Sequence, residues 1–276
     1  MILCPAVSND AKKIIQAQLN EIAKTHNIRI LLAIESGSRA WGFPSLNSDY
    51  DVRFIYARSQ RDYLSVQEYR DVIDPKIINN TLLGVPLDIS GWDIRKVLQL
   101  ALKSNSVLFE WLQSPICYVI NQEIAHEIMQ FAMSVADLKR IKYHYFKLAM
   151  SSWRQIEENA QEVILKHYFY ALRPALSLRW ATMLTQIPPM ALSFLMDKTI
   201  EEPALVSAIT RLVAFKATSR EETRVAHNFV LDSFIKEVLS EQIVEQEPLS
   251  VDNETIKRAD VLFQRIILQP LGYYDN

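Results

Sequence analysis

Asp49 and Asp51 stand one residue apart in the stretch "ESGSRAWGFPSLNSDYDVRFIYA", Glu35 to Ala57, and a third aspartate, Asp88, sits inside "PLDIS". In an extended strand the side chains at i and i+2 leave from the same face, so Asp49 and Asp51 are expected to project together. Paired carboxylates repel one another and resist ionising together. A divalent cation between them removes that penalty, and hard oxygen donors suit Mg²⁺ or Mn²⁺, ions that keep some waters and share their coordination with phosphates. Leu87 and Ile89 share the face opposite Asp88, so the acid faces out of the core and calls for a partner or a metal. Three carboxylates from two strands can hold two ions, an arrangement suited to in-line displacement at phosphorus. The competing reading of an Asp-x-Asp at a strand start is a turn followed by a cap.

The residues between the first strand and the aspartates favour the chemical reading. Two of the five glycines in the chain, Gly37 and Gly42, fall in this stretch. Gly37-Ser38 follows a buried strand, so its amides could meet phosphate oxygens at a tight turn or helix start. A strand, then Gly-Ser, then Asp-x-Asp about a dozen residues on, then a third acid on a later strand, resembles the DNA polymerase β-type nucleotidyltransferase superfamily. The wider strings "GSRAWGFPSLNSDYDVRFIY" and "DISGWDIRKVLQLALKSNSVLFEWLQSP" are similar to one bacterial branch, the RNA repair pathway DNA polymerase β family, most densely over Ile30 to Cys117. The resemblance implies that Gly37 and Ser38 contact the triphosphate of an NTP. It implies that Asp49, Asp51 and Asp88 bind Mg²⁺ (or Mn²⁺), and that attack of an acceptor hydroxyl at the α-phosphorus releases pyrophosphate. Tyr50 is larger than the residue often found at its place in that pattern, and packing is its expected role.

These motifs need elements to position them. Asn9 to Lys24 repeats apolar residues at helical spacing. Ile28 to Glu35 reads as a buried strand, Asp49 to Ala57 as an alternating one, and Val85 to Trp92 as a third, stopped by Gly91. Asp93 is placed as the N-cap of a helix reaching about Gln113. Beyond Asn121 the patterns are helical, with Gln122 to Asn159 and Glu162 to Thr185 each read as one helix. No glycine occurs between Trp92 and Leu271. The expected fold class is α+β: a small mixed-sheet nucleotidyltransferase domain over 1–120, then an all-α domain over 121–276 that binds substrate or nucleotide.

Further candidates lie on the loop and the helices. Arg39 either contacts phosphate or pairs with a nearby acid. Trp41 and Phe43 either stack on a base or cover the sheet end. Arg140, His144, Lys147, Ser151 and Arg154 make a basic helical stripe whose alternatives are a solvated face and a triphosphate or RNA contact, with Lys147 the first choice within it. Lys166, Tyr170 and Arg173 share one helix face and join the nucleotide-binding candidates. His227, after Arg220 and Arg224, gives only a faint echo of helical ribonuclease motifs.

The 276 residues are 49% hydrophobic and 22% charged, with a formal charge of −2, so any nucleic-acid contact must come from a local patch. Cys4 and Cys117 have no metal-ligand spacing, and each reads as a buried structural thiol. The sequence shows neither a signal peptide nor a membrane span, and a cytoplasmic location is expected. The function expected is Mg²⁺-dependent transfer of a nucleoside monophosphate from an NTP to an acceptor hydroxyl, with an RNA end as the acceptor. Transfer to a protein or small-molecule hydroxyl, and a non-catalytic nucleotide- or RNA-binding module, are the alternatives.

Overall fold

The computed structural model describes residues 7–75, 82–158, 161–240 and 250–269. Cys4 lies outside them. In chain order the first half contains α1 (Asn9–His26), β1 (Ile28–Glu35), α2 (Gly37–Trp41), β2 (Tyr50–Arg58), α3 (Gln60–Tyr63), β3 (Val72–Ile73), β4 (Leu87–Asp93), α4 (Ile94–Leu102), α5 (Ser106–Leu112) and β5 (Cys117–Ile120). The second half contains α6 (Gln122–Ser134), α7 (Leu138–Glu157), β6 (Glu162–Ile164), α8 (Leu165–Met183), α9 (Leu192–Thr199), α10 (Pro203–Ala217), β7 (Arg224–Ala226), α11 (Phe229–Leu239) and α12 (Asn253–Leu268). The fold is α+β, as expected from sequence. Among the described residues no helix is long and apolar enough to cross a membrane.

The chain divides into two compact units. The sheet unit holds α1, a five-stranded mixed sheet in the order β3-β4-β2-β1-β5, helices α3 to α6, and α12. β1 pairs antiparallel with β2 and β5, β2 runs parallel to β4, and β3 closes the far edge antiparallel. β1 is buried along almost its whole length, which explains its continuous apolar run. The Ser8 hydroxyl accepts from the amide of Ala11 to start α1, and Asn27 (φ 50°) ends it in the left-handed conformation. Asp93 caps α4 by accepting from the Arg95 amide at 2.8 Å, as its position predicts. The expected helix to Gln113 is two helices, because the chain turns through Ser104 (φ 53°) and Asn105 caps α5.

The helical unit holds α7 to α11 together with Gly37–Ser48, the segment containing α2. It is not all-α: β6 and β7 form a short antiparallel ladder with Val163 opposite Val225, a pairing that β-branched residues favour. The segments read as single helices therefore divide, at 135–137 between α6 and α7, and into β6 plus α8. The single boundary expected at residue 120 also differs from this partition. α6 buries Ile124, Ile128, Phe131 and Ala132 and packs on α4, α5 and β1, while α12 returns to α4, α6 and β2. The Arg29 guanidinium of β1 donates to the Ile266 carbonyl at 2.7 Å, fastening the end of α12.

Gly91 does not stop β4, which runs through it to Asp93. The β2–β4 register sets Gly91 opposite Phe54, and the Phe54 ring fills the place a side chain would take. A Cβ at residue 91 would lie 2.2 Å from that ring. Gly91→Ala is therefore expected to lower stability by about 1–3 kcal/mol through overpacking, read as a lower urea midpoint. Adding Phe54→Leu should recover part of the loss; no recovery would mean that the glycine serves something other than that ring.

Candidate active site

The parallel register pairs Asp51 directly with Asp88, and it is this cross-strand pair that the sheet brings together. Both carboxyl groups meet the same guanidinium. Arg53 Nη2 lies 2.7 Å from Asp88 Oδ2 and 3.3 Å from Asp51 Oδ1. Its Nη1 donates to the carbonyls of Val52 at 3.0 Å and Asp88 at 3.1 Å. The two aspartate side chains remain 30% exposed, so the pair opens to solvent on one side. Asp49 is exposed and immediately precedes the first residue of β2. Among the described residues no three His, Cys, Asp or Glu side chains are grouped so as to hold a metal ion. Of the three expected acids, the register and the shared arginine join Asp51 and Asp88.

The pair fits a divalent cation in donor chemistry: two hard carboxylates from adjacent strands, within reach of one shared cationic nitrogen. The backbone beneath it is fixed by Glu35, which is fully buried. Its Oε1 accepts from the Asp51 amide at 3.0 Å, and its Oε2 accepts from the Tyr118 hydroxyl at 2.6 Å. The Ser36 amide adds a bond to the Asp51 carbonyl at 2.7 Å. Arg53 and Glu35 were both missed from sequence. The i, i+2 spacing of Arg53 from Asp51 was a usable signal, whereas nothing local distinguishes Glu35.

Gly37, Ser38 and Arg39 belong to the helical unit. Gly37 takes φ 59° at the start of the five-residue α2, a conformation that favours glycine. Ser38 donates to the Ser48 hydroxyl at 3.1 Å, and Arg39 donates to the Ser48 carbonyl at 2.6 Å, so Arg39 braces its own loop. The Ser45 and Ser48 hydroxyls in turn donate to Glu221 Oε1 at 2.7 and 3.2 Å. Lys216, 2% exposed, stands 3.8 Å from that carboxylate oxygen and 5.2 and 5.1 Å from the ring centres of Phe43 and Phe169, which stack at 4.4 Å. Phe43 is therefore core, not a free stacking platform.

Burial lowers the Lys216 ammonium, and repulsion from Lys166 adds to this against the pull of Glu221. Burial also acts to raise the Glu221 carboxyl. The hydrogen bonds from Ser45 and Ser48 and the charges of Lys216 and Lys166 together outweigh it, and the net position is below the usual carboxylate value. Lys216 and Glu221 carried no motif in the sequence.

Of the helical candidates, Lys147 is exposed, with its ammonium 5.6 Å from the Tyr143 ring centre. Lys166 is half-buried and Tyr170 exposed, its ring edge-on to Trp41 at 6.2 Å. Arg173 is buried, with Nε donating to the Met190 carbonyl at 3.1 Å and its guanidinium 4.8 Å from the Trp41 ring centre. The face read as one binding surface thus runs from solvent into the core. His227 pairs with Asp232 at 3.0 Å, which also accepts from Tyr168. Cys117 is exposed, not buried: it alternates along β5 with Tyr118, which takes the buried face.

The model of the family described as "RNA repair pathway DNA polymerase beta family" matches residues 11–265. The chain belongs to that family. Membership supports nucleotidyl transfer as the general class of its chemistry. The "Uncharacterized protein YcgL" of Bacillus subtilis (strain 168) is 38% identical over 219 residues, covering 79% of this chain and 82% of that protein. A solved nucleotidyltransferase-like protein from Exiguobacterium sibiricum 255-15 is similar over 92% of this chain and 76% of that one, at 9% identity and a TM-score of 0.31.

The depressed Glu221 carboxyl fixes the sign of a pH effect. Its stabilisation is complete above the unfolded carboxylate value and is lost as pH falls through its lower folded value. Glu221→Gln should cost roughly 1–3 kcal/mol near neutral pH, because it leaves a buried ammonium without its anion. The gap from wild type should close in urea titrations carried down to pH 2.5. Parallel curves at every pH would show that Glu221 does not titrate against the folded state, and Lys216→Met in the Gln background should restore most of the neutral-pH loss.

Proposed function

We propose that this protein is a Mg²⁺- or Mn²⁺-dependent nucleotidyltransferase that moves a nucleoside monophosphate from an NTP to an acceptor hydroxyl, with an RNA end as the acceptor. The observation that carries the reading is the in-register Asp51–Asp88 pair on β2 and β4, in a chain of this family. Asp51 and Asp88 would hold the ion, with Asp49 the further ligand that the motif suggests. When bound, a divalent cation supplies charge neutralisation and Lewis acidity at the phosphoryl group.

The chain's own groups account for the rest of the chemistry. The oxygen of the acceptor hydroxyl bonds to the α-phosphorus, the bond from that phosphorus to the β-phosphate bridging oxygen breaks, and pyrophosphate leaves with that electron pair. The hydroxyl proton passes to the Asp88 carboxylate. Gly37 and Ser38 are assigned to the triphosphate. Lys147, Lys166 and Tyr170 are assigned to nucleotide phosphates or base, and Arg39 and Arg173 act by bracing the loop and the Trp41 ring. RNA is preferred over a protein or small-molecule acceptor on the family's description alone.

A second reading has its own observation. An acid pair closed permanently by Arg53 would suit a non-catalytic nucleotide- or RNA-binding module. Incubation of the purified protein with Mg²⁺, each α-labelled NTP, and RNA, protein or aminoglycoside acceptors separates the two. Label transfer to RNA with stoichiometric pyrophosphate is expected, and Asp51→Asn and Asp88→Asn should each reduce it on the order of 10³-fold while unfolding cooperatively. Label on a protein but not on RNA would remove the RNA assignment. No pyrophosphate with any combination would leave the binding module.

A further inference from the structure

Arg53 is more than a neighbour of the acid pair. β-Strand geometry puts residues 51 and 53 on one face, and the register with β4 sets Asp88 beside both. The guanidinium uses its two terminal nitrogens differently. Nη1 is held by main-chain carbonyls, one from each strand, at 3.0 and 3.1 Å. Nη2 spans the two carboxylates at 2.7 and 3.3 Å. One end of the fork is thus tethered to the main chain of both strands, while the other neutralises the groups that would ligate a cation. The Arg53 side chain is 20% exposed and each aspartate side chain 30%, so the cluster is not sealed from solvent.

We propose that Arg53 is a built-in counter-cation of the acid pair, which competes with a divalent ion for Asp51 and Asp88 and so sets the metal affinity of the site. The proposal rests on the reading of those two acids as metal ligands. Without metal, Nη2 holds two like charges on adjacent strands. With metal, Nη2 must give up at least one carboxylate, while Nη1 keeps the side chain docked on the Val52 and Asp88 carbonyls. The pair is then never an uncompensated double negative charge, and the ion enters against a resident cation instead of into an empty anionic site. A cation retained beside the acid pair would also weaken binding of a divalent ion directly through Coulomb repulsion.

The test is a Mn²⁺ titration, followed by the electron paramagnetic resonance of free Mn²⁺, on the full chain as wild type, Arg53→Gln, Arg53→Lys, Asp51→Asn and Asp88→Asn. Thermal melts with and without Mn²⁺ accompany it. Arg53→Gln should bind Mn²⁺ about tenfold more tightly than wild type, with Arg53→Lys between them, and both aspartate variants should bind more weakly. In melts, Arg53→Gln should unfold earlier than wild type without metal, and saturating Mn²⁺ should narrow that difference.

If the aspartate variants weaken binding but Arg53→Gln binds equally or less tightly, the acid pair is a metal site and Arg53 is not its competitor. If neither aspartate variant alters Mn²⁺ binding, the metal reading fails and takes this proposal with it. Should Arg53→Gln not fold, Arg53→Lys decides: tighter binding than wild type supports competition, and unchanged binding overturns it.

Discussion

Everything at the candidate site depends on one pairing, the parallel register that sets Asp51 of β2 against Asp88 of β4. Parallel neighbours lie about 4.8 Å apart, and two carboxylates at roughly 5 Å repel by about 3 kcal/mol at an effective dielectric of 20. A sheet has no reason to accept this on stability grounds. It can do so because a cation is provided from the same face, two residues along β2, by Arg53. It also needs a backbone that cannot slip, since a one-residue shift would send the paired side chains to opposite faces. Gly91 contributes to that fixity: only a residue without Cβ lets the Phe54 ring lie across β4.

Glu35 applies the same logic from the other neighbour of β2. A fully buried carboxyl group would be a liability alone, but here it receives the Asp51 amide and the Tyr118 hydroxyl. It therefore joins three strands, β1, β2 and β5, at the residue whose position matters most. The Asp51 main chain is held from the β1 side while its carboxylate meets Arg53. The helical unit shows a parallel economy within itself: the loop Gly37–Ser48 is gathered by serine hydroxyls onto Glu221, and Lys216 balances that acid against a stacked aromatic pair.

The sequence disclosed what is local. β1, β2 and β4 follow from apolar runs and alternation, and the Asp93 cap follows from its place before an amphipathic helix. It did not disclose register, which is a property of two segments at once. The i, i+2 rule linked Asp49 to Asp51, but it could not show the cross-strand partner of Asp51, which sits 37 residues away on β4. Gly91 read as a stop for the same reason, since its cause is Phe54 on another strand. Lys216 and Glu221 escaped notice because charged residues default to solvent in any reading of pattern, and only tertiary packing makes a lysine 2% exposed. The segment Gly37–Ser48 lies between two strands in sequence but groups with the helices in space, so a boundary drawn along the chain could not separate the units.

The identity of the cation at residue 53 follows from geometry. A lysine ammonium is a compact point charge with a flexible stem and could meet one carboxylate, or sit between two, but it could not also grip both strands' carbonyls. The guanidinium does both, because its donors lie in a fixed plane with Nη1 and Nη2 directed along different edges. The Val52 and Asp88 carbonyls take one edge and the two aspartates take the other. Charge compensation and orientation are therefore separable functions of a single side chain. A group that must neutralise an acid pair without being lost from the site when that pair changes partner has to possess this separation, and among the ordinary side chains only arginine offers it.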